Sequence, residues 1–177
     1  MVDLNKLAAE IHEAAVKKGF WDVDDAEEKH LAKMISELGE VVQADRAGIM
    51  YEVEHEGAKP EGVVAELADF VMMAMDMYVF VGIDINSVVE IMTFDEYCKG
   101  LGAEVSERPA YSIVNLLVMA LNAFIDSGAI AEIKGCVLVT TYGVCNCALA
   151  QGFDLWEIIR QKMAYNESRP ALHGRLY

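Results

Sequence analysis

Proline is scarce in this chain, three in 177 residues, and cysteine nearly so, with four. So few prolines, beside 54% hydrophobic residues and ten methionines, argue against a disordered polypeptide and fit a globular, helix-rich protein. Cys98, Cys136, Cys145 and Cys147 form no CxxC pair and sit mostly in apolar segments. They read as small buried hydrophobes of a reducing compartment, and a zinc site carries little weight. Positive charge is short too: 14 Lys and Arg face 29 Asp and Glu, a formal net charge of −15. No basic cluster offsets that deficit, so no nucleic-acid polymer is expected as a partner. A small phosphate-bearing molecule stays compatible, because bound metal ions reverse the potential around an acidic site. Long apolar runs are missing as well. Phe70 to Met75 is far too short for a membrane span, and the N-terminal Met1-Val-Asp-Leu-Asn-Lys6 has no apolar signal core. The expected setting is the cytoplasm, without a membrane partner.

Period-2 alternation is also lacking. The one β-like run, 135–143, sits in an apolar pattern that continues beyond strand length, so it reads as helix. The chain is therefore expected to be all-α, one domain over 1–177. Leu4, Leu7, Ala8, Ile11 and Ala15 behind the cap Asp3 predict a helix over about 4–18. A second is expected from Asp24 or Asp25 up to Gly48, with Leu31, Met34, Ile35, Leu38, Val41 and Val42 on its apolar face. A polar loop leads to Pro60, which suits the first turn of a third helix reaching about residue 81. From Phe70 onward that helix is apolar nearly all round, which places it at the centre of a bundle or in a subunit interface. A short helix to about 97, two apolar helices over about 110–126 and 131–151, and a final helix over about 154–165 complete the prediction. The high apolar content points to a homo-oligomer, with a dimer as the default.

Against this apolar background stand two acidic pairs: Glu37 and Glu40 in the second helix, Glu66 and Asp69 in the third. Each has i,i+3 spacing, so both acids of a pair share a helix face. An ionised carboxylate in apolar surroundings is costly without compensation, and a shared divalent cation supplies it. Mg2+ or Mn2+ is the expected cofactor, since these ions prefer oxygen ligands and are commonly completed by substrate phosphates. The bland reading of such pairs is a solvated helix face.

A faint internal repeat runs through the chain. Ala47-Gly48 aligns with Ser127-Gly128, and Gly82-Ile-Asp84 with Gly152-Phe-Asp154. At those two offsets Glu37 and Glu40 meet Leu117 and Ala120, while Glu66 and Asp69 meet Cys136 and Val139. The repeat predicts a catalytic unit over about 4–85, a degenerate second unit over about 105–165 that lost its acids, and a basic tail over 166–177.

The two acidic pairs, with Gly19-Phe-Trp-Asp22 before them, Ala44-Asp-Arg-Ala-Gly48 between them, and the closing Lys162-Met-Ala-Tyr-Asn166-Glu-Ser-Arg169-Pro170 and His173-Gly174, resemble the MazG-like, all-α nucleoside triphosphate pyrophosphohydrolases, a superfamily that includes all-α dUTP pyrophosphatases. The matched segments cover about 4–85 and 154–177. The resemblance implies an antiparallel helical bundle in which Glu37, Glu40, Glu66 and Asp69 bind Mg2+, and the metal binds a nucleoside triphosphate substrate. Hydrolysis between the α and β phosphates would release a nucleoside monophosphate and pyrophosphate, with Glu37 or Glu40 orienting or deprotonating the water. Lys162, Asn166 and Arg169 recur at near-helical spacing and would present two cations and an amide to the phosphates. Lys33, one turn before Glu37, either assists them or forms an i,i+4 helix salt bridge. Trp21 either stacks on the base or anchors its loop to the bundle. Asp76, about two turns after Asp69, either reaches the same cavity or makes a structural hydrogen bond across helices. Tyr165 and His173 read as packing and tail contacts. The competing class is a non-catalytic nucleotide sensor or helical scaffold.

Overall fold

The computed structural model describes residues 3–22, 24, 26–86, 114, 118 and 152–174, and these form an all-α arrangement. Its helices are α1 (Leu4–Lys17), α2 (Ala26–Ala47), α3 (Val63–Phe80) and α4 (Leu155–Glu167), followed by a 3-10 turn at Ala171–Gly174. The extended pairing among the described residues is one antiparallel bridge between Glu52 and Glu61. No described helix is long and apolar enough to cross a membrane.

Asp3 caps α1 by accepting from the Lys6 amide at 3.1 Å, and Leu4, Leu7, Ala8 and Ile11 bury one face of it. Met34, Leu38 and Val41 do the same for α2. Ile35, expected on that apolar face, is instead 50% exposed. At 100° per residue it falls on the flank of the stripe formed by Met34, Leu38 and Val41.

α3 packs against α1, α2 and α4 and is buried on nearly every side, as its apolar circumference predicts. Phe70, Val71, Ala74 and Met75 are all at most 1% exposed. Full burial of a side chain such as Phe70 contributes about 1.5–3 kcal/mol. This helix begins three residues later than Pro60 suggests. Pro60 stays outside because its neighbour Glu61 exchanges both backbone hydrogen bonds with Glu52, each 3.0 Å, and so holds the chain extended. Glu66 therefore lies in the first turn of α3.

The start of α3 has no side-chain cap. Its leading amides are satisfied by backbone instead: Val63 N–H donates to Ile49 O at 3.0 Å and Val64 N–H to Met50 O at 3.1 Å. That crossing needs Gly62, whose φ is +103° and whose missing Cβ would sit 2.8 Å from the Met50 carbonyl. A Gly62→Ala variant is expected to lose about 2–3 kcal/mol of stability in urea unfolding, from strained backbone plus steric overlap. A midpoint equal to wild type would mean that the loop over 48–62 does not cross α3 this closely.

α4 is capped by Asp154, which accepts from the amides of Trp156 and Glu157 at 3.0 and 3.2 Å. Leu155, Ile158 and Ile159 face the core, and Lys162 lies on the same stripe. The chain after α4 is tied to α1: Lys18 Nζ donates to the carbonyls of Glu167 and Arg169, and Leu172 N–H donates to Lys18 O at 2.8 Å. Ile85 and Asn86 open with helical backbone, and the rest of that predicted short helix lies outside the described residues. So do the helices expected over 110–126 and 131–151, apart from Val114 and Val118 in helical backbone, and with them the second repeat up to its closing helix, α4, and the four cysteines.

Candidate functional site

Packing of α2 on α3 brings three of the four acids together. Glu37, Glu40 and Glu66 each offer one carboxylate oxygen, and these atoms lie within 4.8 Å of one another. Glu66 is 5% exposed, and its Oε2 has no hydrogen-bond partner. Asp69, the fourth acid, is engaged by α4: Lys162 Nζ donates to its Oδ2 at 2.5 Å and lies 3.6 Å from Glu66 Oε2. Lys162 itself is 1% exposed. From the loop before α3, Lys59 reaches within 3.6 Å of Glu66 Oε1. Two of the four carboxylates, Glu66 and Asp69, thus share two ammonium groups, and Glu66 Oε2 is left buried without a hydrogen bond. A carboxylate oxygen buried without a donor is costly, and it is the atom that a hard cation would satisfy.

The electrostatics carry the same signature. Burial, together with the neighbouring charges of Asp69, Glu40 and Glu66, pushes the Glu37 carboxyl up to about 7, with Lys162 opposing. Burial raises Glu66 as well, against Lys162. Burial works against the charge on Lys59, but Glu66 and Asp69 outweigh it and hold that ammonium above its ordinary range. For Glu37 the sign follows directly. A carboxyl raised from 4.5 to about 7 binds more protons folded than unfolded, so its contribution to stability falls as pH rises through that window. Glu37→Gln should therefore stabilise the metal-free protein at pH 8, by about 1–3 kcal/mol, and leave it unchanged near pH 4.5. Thermal unfolding in EDTA reads this as a rise of several degrees at the higher pH. Equal melting temperatures of the two proteins at both pH values would place Glu37 in ordinary solvent.

A cavity of about 660 Å3 lies between α1, α2, α3 and α4, and of the three converging acids Glu37 lines it. Glu37, Asp69, Lys59 and Lys162 form one part of its wall, and Phe20, Lys33, Asn166, Arg169 and His173 another. Lys33 lies over the Phe20 ring at 4.0 Å, and His173 meets that ring edge-on at 5.0 Å. Arg169 contacts the Asn166 side-chain oxygen at 3.5 Å and the His173 carbonyl at 3.3 Å. Lys33, Asn166, Arg169 and Lys162, the polar groups expected to meet phosphates, thus share one cavity with Glu37 and Asp69.

Asp76 and Trp21 belong to a different constellation, in which Asp76 is 2% exposed. Its Oδ1 accepts from His12 Nδ1 at 2.6 Å and from Trp21 Nε1 at 3.0 Å, and its Oδ2 lies 3.5 Å from His30 Nε2. The Trp21 ring is stacked with His30 at 4.9 Å and with Phe80 at 4.2 Å between centroids. These contacts tie the turn after α1 to α2 and α3. Asp76 also lines the cavity, and Trp21 does not. Burial raises the Asp76 carboxyl and lowers His30, with their mutual attraction opposing both shifts. His30 Nε2 faces the Met73 carbonyl at 3.0 Å, and a carbonyl only accepts, so Nε2 carries the proton.

Sequence reasoning passed over His12, His30, Phe20 and Lys59. His30 had a legible signal. It stands four residues before Met34 and seven before Glu37, inside the buried face of α2, where an ionisable side chain needs a partner. Lys59 had none, because loop charges are ordinary.

No family model matches this chain, nor does any curated protein or solved structure.

Proposed function

We propose that this chain is a divalent-metal-dependent nucleoside triphosphate pyrophosphohydrolase, cleaving between the α and β phosphates. The observation that carries the reading is the buried, undonated Oε2 of Glu66 beside the converging carboxylates of Glu37 and Glu40. Three oxygens within 4.8 Å, in a half-dry setting that already lifts Glu37 to about 7, fit a hard cation such as Mg2+ or Mn2+ better than they fit water. The cavity supports the substrate class. It places cationic and amide groups of α2, of α4 and of the segment after α4 beside Glu37 and Asp69, and the resemblance of the acidic and C-terminal motifs to MazG-like enzymes points the same way.

In this reading Glu37, Glu40 and Glu66 hold the metal, which when bound supplies charge neutralisation and acidifies the attacking water. Glu37 or Glu40 accepts the water proton. Arg169 and Lys33 bind phosphate oxygens, and Asn166 orients them while its own oxygen steadies Arg169. Met72 and Met73 give the cavity an apolar wall that limits water.

The test is pyrophosphate release from a panel of canonical and modified NTPs and dNTPs in Mg2+, Mn2+ or EDTA. The expected result is equal amounts of pyrophosphate and nucleoside monophosphate, abolished by EDTA. Nucleotide binding with no release from any member of the panel would put the non-catalytic sensor in its place.

A further inference from the structure

Lys162 is in an unusual position for a residue that binds substrate. Its ammonium is 1% exposed and closes on Asp69 Oδ2 at 2.5 Å, with Glu66 Oε2 at 3.6 Å. It withholds Asp69 from the group of converging carboxylates, which contains only Glu37, Glu40 and Glu66. We propose that Lys162 is a built-in counter-cation, held on Asp69 and Glu66 until a divalent ion displaces it, and that this displacement turns Asp69 into a metal ligand. The inference rests on the metal-binding reading above and adds an order of events to it.

Three features support displacement over a permanent pair. The Glu66 oxygen nearest Lys162 is in ion-pair range at 3.6 Å but accepts no hydrogen bond, so the ammonium holds Asp69 closely and Glu66 only loosely. A cation bound by Glu66 would face the Lys162 charge across a few ångströms, and the flexible lysine is the partner able to move. There is also somewhere to go. Lys162 lines the cavity together with Asn166, one turn further along α4, and Arg169. The stem of Lys162 can stay on the stripe of Leu155, Ile158 and Ile159 while its head turns toward incoming phosphate. Phosphate and metal would then favour each other's binding, because each offers what the other's arrival disrupts: a new anion for Lys162, and a free Asp69 for the cation.

The experiment is Mn2+ binding to the full chain without nucleotide, by calorimetry, for wild type, Lys162→Gln and Lys162→Met. Glutamine keeps a donor for Asp69 without the charge, and methionine keeps the volume. Both variants are expected to bind Mn2+ about tenfold more tightly than wild type. Adding Asp69→Asn to Lys162→Gln is expected to erase most of that gain. A second readout needs no variant. Acylation of the Lys162 amine in wild type, followed by mass spectrometry, should be slow in EDTA and about ten times faster in saturating Mn2+. Wild-type affinity in both lysine variants, or acylation of Lys162 indifferent to Mn2+, would overturn the proposal while leaving a metal site at Glu37, Glu40 and Glu66. Absence of Mn2+ binding in every protein would instead overturn the metal reading itself.

Discussion

Glu40→Gln is expected to lower metal-dependent pyrophosphate release by about 100-fold or more, the scale on which removal of a single charge-stabilising group acts in enzymes. The change is nearly isosteric, and Glu40 is only half-buried, so α2 has no reason to unfold. What disappears is one of three oxygens that converge with Glu37 and Glu66. Measurement of initial rates across a Mg2+ titration separates the two ways in which activity can fall. Loss of a ligand raises the metal concentration needed for half-maximal rate, whereas loss of a proton acceptor lowers the plateau. Helix content by circular dichroism should match wild type. Glu54→Gln, on the exposed loop before α3, serves as the control and should keep full activity. Activity of the Glu40 variant within twofold of wild type would take Glu40 out of the site.

The second large effect concerns stability. Asp76→Ala is expected to cost about 3–5 kcal/mol in urea unfolding, because it strips the acceptor from His12 and Trp21 and leaves polar groups of the buried network without a partner. Asp76→Asn keeps one acceptor oxygen and should recover most of that loss. The contrast between the two variants separates the hydrogen bonds from the cavity that alanine leaves behind. Near-neutual cost for alanine would mean that water replaces the carboxylate without penalty. Tryptophan fluorescence offers an independent readout, since Trp21 is stacked with His30 and Phe80 only while the turn after α1 is docked.

Much of the all-α arrangement was legible because it rests on local rules. Asp3 is a cap that the sequence shows plainly, and the stripes Leu4-Leu7-Ile11 and Leu155-Ile158-Ile159 follow the 3.6 period. The start of α3 was not legible, because Pro60 is held outside by a bridge to Glu52 that no local pattern announces. The acids divide in the same way. Their i,i+3 spacing places both members of a pair on one face, but only tertiary packing decides that Glu66 joins Glu37 and Glu40 while Asp69 turns to Lys162. For Lys162 the stripe was readable and its consequence was missed: a lysine that follows Leu155, Ile158 and Ile159 at helical spacing points inward, toward whatever anion the core contains. The two roles weighed for Asp76 are not exclusive in the structure, since it both bridges helices and lines the cavity.

The bond between Lys162 and Asp69 joins positions 93 residues apart. At ordinary rates of synthesis, about 5–20 residues per second, α3 waits several seconds for the ammonium that relieves its charge. Through that interval the growing chain exposes a helix of high apolar content whose acids have no partner from α4. Lys59 precedes α3 in the chain and reaches Glu66, so Asp69 is the acid left waiting for the ammonium of α4.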